Sequence, residues 1–175
     1  MRRSGWRLIA LGTVLVVADA QPLPRVEAEN LLGRAVILPD SAAGRVAILV
    51  AGFSHASQKQ IKPWSDRLDR EFPDQTKTVV YPIAVLEKVP RLVRGMAEHG
   101  IRSGTPKAQQ DRFLLVLHDE AALRQAAQLL EPDDAYIMVV DPAGVIQWRF
   151  HGPVTDTAVA DLKDQVRRLT PLETK

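Results

Sequence analysis

The sequence contains no cysteine. A thiolate is the nucleophile of thiol–disulfide exchange, and no other side chain forms and releases a mixed disulfide, so dithiol redox chemistry is excluded. The same absence does not imply a weak fold: a chain of 175 residues can bury a sizeable core without disulfides. Also missing are an internal repeat, a low-complexity tract and the GxSxG elbow of serine hydrolases. The apolar run near the start, Leu8 to Ala18, covers only 11 residues, short of the about 20 that span a bilayer.

That run does fit another role. Arg2, Arg3 and Arg7 precede it and Ala18-Asp19-Ala20 follows it, the order of a positive region, an apolar region and a small-x-small cleavage site. Residues 1–20 are therefore expected to be an export leader cut before Gln21, with residues 21–175 forming one domain in the periplasm or outside the cell. Removing the leader also changes the meaning of the basic pI of 9.1. Lys plus Arg fall from 23 to 20 and Asp plus Glu from 21 to 20, a balanced chain. Without net positive charge the long-range attraction to phosphates is missing, and no nucleic-acid partner is expected.

The rest of the chain alternates between two periods. Arg45-Val-Ala-Ile-Leu-Val-Ala51 is a continuous apolar run stopped by Gly52, as in a central strand covered on both faces. Ser57 and Gln60 have capping-box spacing, and Ile61, Trp64 and Leu68 follow at helical intervals until Pro73. A second strand is read at Thr78-Val-Val-Tyr-Pro-Ile83. Pro90 opens a helix running to about Gly100, and residues 102–110 read as a loop. Phe113-Leu-Leu-Val-Leu117 is another strand, and Asp119 is a candidate cap for a helix burying Leu123, Ala126, Ala127 and Leu130. Ala135–Val140 and Val145–Phe150 flank Asp141-Pro-Ala-Gly144 as a hairpin, its second strand presenting Ile146, Trp148 and Phe150 on one face. A last helix from about Thr155 buries Val159, Leu162, Val166 and Leu169, and a short strand at Ala35–Leu38 precedes the whole series.

Strands alternating with helices imply right-handed crossovers. The order resembles the exported thioredoxin-like proteins that guard or reduce thiols in bacterial envelopes. The fold class expected is therefore α/β: a thioredoxin-like three-layer sandwich with a mixed, mostly parallel central sheet and a helix and strand inserted over roughly residues 90–117. Counting back from Pro63 puts His55 and Gln58 where that family carries its CxxC pair, and Asp133-Asp-Ala-Tyr136 where it places a cis-proline. Both parts of the redox centre are missing.

A closer likeness lies in Ala51-Gly-Phe-Ser54 with Trp64, Tyr81-Pro-Ile-Ala-Val-Leu-Glu87, Pro90-Arg-Leu-Val-Arg-Gly-Met96, and Asp134 through Trp148 into His151-Gly-Pro153. Across most of residues 30–170 the chain resembles bacterial relatives of the mitochondrial assembly factor for the membrane sector of ATP synthase. That resemblance implies assembly rather than catalysis, and a protein partner.

Two regions are candidates for partner binding. Ser54, His55, Ser57 and Gln58 form a helix start, where free amides and the helix dipole favour an anion or a partner's carbonyl. Capping alone accounts for Ser57, and a solvated His55 needs no role. Arg91, Arg94, Arg102 and Arg112, with Lys107, suggest a basic face for an acidic partner or an anionic membrane surface. A solvated helix diluted by Glu87 and Glu98 explains the same residues. Trp148 and Tyr136 read as core.

A rival reading is a cysteine-free peroxiredoxin-like or hydrolase-like enzyme using His55 and a serine, which requires a serine–histidine hydrogen bond and a third orienting group. A metal site can be drawn from His55, His118 and His151 with Asp119, but the spacing matches no compact ligand motif. No cofactor or metal is expected. A purely structural envelope protein is a third reading.

Overall fold

The computed structural model describes residues 21–170; the expected leader and its cleavage point after residue 20 lie outside the described residues. One eight-stranded sheet runs in the order β1-β8-β7-β4-β5-β6-β2-β3. The strands are β1 Gln21–Pro22, β2 Val26–Asn30, β3 Ala35–Leu38, β4 Val46–Gly52, β5 Thr78–Val85, β6 Leu114–Val116, β7 Ala135–Val140 and β8 Val145–His151. Four α-helices accompany them: α1 His55–Glu71, α2 Arg91–Gly104, α3 Glu120–Ala127 and α4 Asp156–Leu169. The expected three-layer sandwich is present. Alternate residues of the central strands face opposite ways, as the period of two requires. Val46, Ile48 and Val50 of β4 meet Ile61, Trp64 and Leu68 of α1 and Val159, Leu162 and Val166 of α4. On the other side Ala47, Leu49 and Ala51 meet Leu123, Ala126 and Ala127 of α3.

The sheet is mixed, but it is not mostly parallel. Parallel pairing is confined to β4 with β5 and β5 with β6. The hairpin strands and the N-terminal strands pair antiparallel. The sequence pattern missed β1 and β2. β1 holds only two residues, and β2 (Val26-Glu-Ala-Glu-Asn30) buries its ends while its glutamates face water. Asn30 sets the β2–β3 turn: its Oδ1 accepts from Leu32 N and Arg34 N, both at 3.0 Å, and its Nδ2 donates to Asp111 O at 2.9 Å.

Several local expectations are corrected. Ser57 is not the cap of α1. Ser54 is, accepting from Ala56 N and Ser57 N, while Ser57 Oγ accepts from Ser54 N in return. Serine can replace the usual glutamate of a capping box here because Ser57 is fully buried against the turn. α2 continues to Gly104, four residues beyond its expected end, and only a short 3₁₀ turn, Lys107–Gln109, remains of the loop. Asp119 occupies the cap position of α3 without capping it. Its carboxylate accepts instead from Glu27 N at 3.1 Å, and Glu87 Oε2 reaches across to accept from Glu120 N at 2.7 Å. α3 ends before Leu130, which is 74% exposed. A bulge between Val139 and Val140 shifts the β8 register, so Ile146 packs with the α3 side and Trp148 and Phe150 with the α1 side.

Candidate functional site

The C-terminal end of β4 brings α1 close to the sheet. A Cβ at Gly52 would lie 2.8 Å from Ile61 Cδ1 and 3.1 Å from Ser57 Oγ, so glycine lets the first turn of α1 seat there without displacing these side chains. Antiparallel pairing of Gly52 with Ala135 then sets the segment before β7 against the same turn. The result is a polar junction. Ser54 Oγ donates to Asp133 Oδ1 at 2.8 Å, and Gln60 Nε2 donates to Asp133 O at 3.0 Å. Next to it, His151 Nδ1 lies 2.8 Å from Asp134 Oδ2, and the imidazole stacks on the Tyr136 ring with centroids 5.4 Å apart. Tyr136 is buried, and its hydroxyl accepts from Leu130 N and Glu131 N, which holds the acidic loop in place.

This arrangement changes the reading of the helix start. The dipole attracts an anion, as expected. The anion is the chain's own Asp133, two residues before β7. Ser54 and Ser57 are occupied by the cap and by Asp133. Among the described residues neither bonds a histidine, and His55 is exposed without a hydrogen bond. The serine–histidine contact that does occur, Ser103 Oγ to His99 Nε2 at 3.4 Å, is exposed on α2, and among the described residues no acid bonds either side chain. The geometry that the hydrolase-like reading needs around His55 is therefore not assembled. His55, His118 and His151 are not gathered either: among the described residues no group of three or more His, Asp or Glu side chains could hold a metal ion.

His55 and Gln58 instead border an open groove of about 440 Å³ between α1 and α2. Ile61, Met96, Ile101 and Phe113 make it apolar, and Lys59 and Lys62 stand on the α1 rim. The side of α2 that faces α1 carries Ala97, Gly100 and Gly104, which lack the bulk to close the gap. α2 itself is held at its ends. Before it, Arg94 Nη2 donates to Glu87 O and Val89 O at 3.0 and 3.2 Å. After it, Arg112 Nη1 reaches Asp69 Oδ1, Gln75 Oε1 and Val80 O at 3.2, 3.1 and 3.4 Å.

The four candidate arginines therefore do not form one basic face. Arg112 has a side chain only 17% exposed and ties the insert to α1; Arg94 folds back onto the loop before its helix. Arg91 and Arg102 remain on the surface. The structure does bring the two candidate regions together, but through groove residues that sequence reasoning passed over: Lys59, Lys62, Met96, Ile101 and Phe113. Their signal was the small-residue spacing of Ala97, Gly100 and Gly104 beside Met96 and Ile101.

Comparison with solved structures places this architecture among thioredoxin-like proteins. BsSco, a member of the Sco family of cytochrome c oxidase assembly proteins, superposes with a TM-score of 0.60 at 13% identity, covering 87% of this chain and 95% of its own. The exposed lipoprotein thioredoxin Etrx1 from Streptococcus pneumoniae gives 0.60 at 13% identity, covering 81% and 99%. The thioredoxin domain of a thiol-disulfide oxidoreductase from Bacteroides vulgatus gives 0.58 at 17%, covering 86% and 96%. At these identities the likeness shows the fold alone. The family is shown by sequence: the ATP10 protein model matches residues 17–169, and the chain belongs to that thioredoxin-like assembly-factor family. No curated protein matches the chain.

Proposed function

We propose that this chain is an exported, redox-inactive, thioredoxin-like assembly factor that holds a polypeptide in the groove between α1 and α2. Membership of the ATP10 family supports an assembly role and a protein partner. The observation that carries the binding mode is the groove itself. It is open, apolar on its floor and rimmed by lysines, and it lies beside the helix start that thioredoxin-like proteins use for chemistry. An apolar concave surface with a few polar groups at its edge suits an amphipathic segment laid lengthwise. Absence of cysteine leaves such a segment bound without a covalent step. Export rests on the basic, apolar and small-residue order of residues 1–20.

The test is affinity capture from cell envelopes with a groove-filled variant. Wild-type protein is expected to retain a reproducible polypeptide that Ala97→Trp loses and that Leu130→Ser, altered on a different exposed surface, keeps. Circular dichroism should show both variants folded. Equal retention by all three proteins, or no reproducible polypeptide with any, would count decisively against the groove.

A further inference from the structure

α2 differs from the other three helices in burying none of its residues. Its inner side rests Ile101 against the small cluster of Leu31, Ala84, Leu86 and Leu115. Its outer side presents Leu92, 94% exposed, and one turn later Met96, 76% exposed. Residues four apart on a helix stand above one another, so these two make one apolar ridge. Among the described residues the remaining large exposed apolar residues outside α2, Leu32 and Leu130, stand singly.

Free cations flank the ridge on one side. Arg91, Arg102 and Lys107 are exposed and form no ion pair among the described residues. On a 100° helical projection, Arg91 and Arg102 fall within about 20° of each other, on the flank of the Leu92 side. The acids nearby are Glu98, half-buried on the same helix, Glu87 just before it, whose carboxylate accepts from Glu120 N, and Asp111, 4.0 Å from the Arg112 guanidinium. Lys88, at the approach to the helix, is taken by Glu120 at 2.7 Å. A positive balance therefore remains on this surface.

We propose that the outer face of α2 docks on an anionic membrane surface, with Leu92 and Met96 entering the interfacial layer and Arg91, Arg102 and Lys107 meeting lipid phosphates. A convex ridge flanked by cations is poorly matched to a protein pocket. A bilayer interface accepts apolar side chains without a shaped cavity and supplies the negative charge. Because α2 buries nothing, seating it in the interface disturbs no core contact. The groove opens on the adjoining flank of the same helix and shares Met96 with the ridge, so docking would present it at the membrane.

The absence of native cysteine makes a local test clean. In the full chain, Leu92→Cys labelled with an environment-sensitive fluorophore is titrated with phosphatidylcholine vesicles, with and without phosphatidylglycerol. A blue shift is expected with the anionic vesicles and not with the zwitterionic ones. It should disappear near 1 M salt, where the Debye length is about 3 Å. Arg91→Gln combined with Arg102→Gln should weaken it about 25-fold, since each basic residue near an anionic surface contributes roughly fivefold. The same label on Leu130→Cys should not respond, which separates α2 from any membrane contact made by residues 1–20. Adding Ala97→Trp should leave the shift at position 92 intact. A silent probe at position 92 overturns the proposal and returns the ridge to a protein partner. Equal response at positions 92 and 130, equal response to both vesicle types, or loss of the shift with Ala97→Trp overturns it as well.

Discussion

Ser54 carries three loads with one hydroxyl: it accepts from Ala56 N and Ser57 N and donates to Asp133. A serine at this position was legible in the sequence, but its partners were not. Capping-box spacing pointed to Ser57 and Gln60, whereas burial of Ser57 moved the cap three residues upstream. Replacing Ser54 with alanine leaves two amides and one carboxylate without their partner. Ser54→Ala should therefore lower unfolding free energy in urea by about 1 kcal/mol, and Ser54→Gly by only a few tenths, because a glycine cap leaves its amides open to water. Equal losses for the two variants would show that the cap is not what Ser54 contributes.

Between elements, charge pairing joins helices that hydrophobic periodicity cannot relate. Glu71, at the end of α1, bonds Lys163 of α4 and Arg67 of its own helix. The hydrogen bond from Lys163, followed by its charge and by Arg67, holds the Glu71 carboxyl below its ordinary value of 4.5. Asp74 is held below its ordinary 3.8 by hydrogen bonds from Thr76. A carboxyl whose folded pKa is depressed adds stability above its unfolded value and loses it as pH falls through the folded one. Wild-type protein should thus exceed Glu71→Gln in urea midpoint at pH 6, with the gap closing progressively below pH 4.5. A gap that persisted unchanged at acid pH would mean that packing, not charge, accounts for the pair. Helix–helix ion pairs of this kind leave no trace in sequence spacing, since residues 71 and 163 meet only after the sheet has ordered α1 beside α4.

Across the whole molecule, stability is concentrated in the centre of the sheet. β4, β5 and β7 are buried along their full lengths, while α2 has no buried residue. Local opening follows buried contact, so amide hydrogen exchange should be fastest along α2 and slowest in β4, β5 and β7, with the α1 amides beyond its first turn close to the latter. Protection of α2 equal to that of β4 would contradict a loosely seated insert. Such a gradient suits the proposed role, because the element bordering the groove can shift without opening the core.

The sequence by itself determined the central strands, the helices packed on them, the hairpin and the absence of thiol chemistry. Each rests on local information: apolar period, proline and glycine punctuation, or the simple lack of a residue type. β1, at one edge of the sheet, and β2, next to the other edge, escaped because two residues, or five with two outward glutamates, carry too little apolar signal. Tertiary structure alone decided the site. It placed Asp133 on the start of α1, turned Arg112 inward to Asp69, and opened a groove where the small-residue side of α2 does not close on α1. These are relations between residues distant in the chain, and their energies depend on distances that only the folded sheet sets.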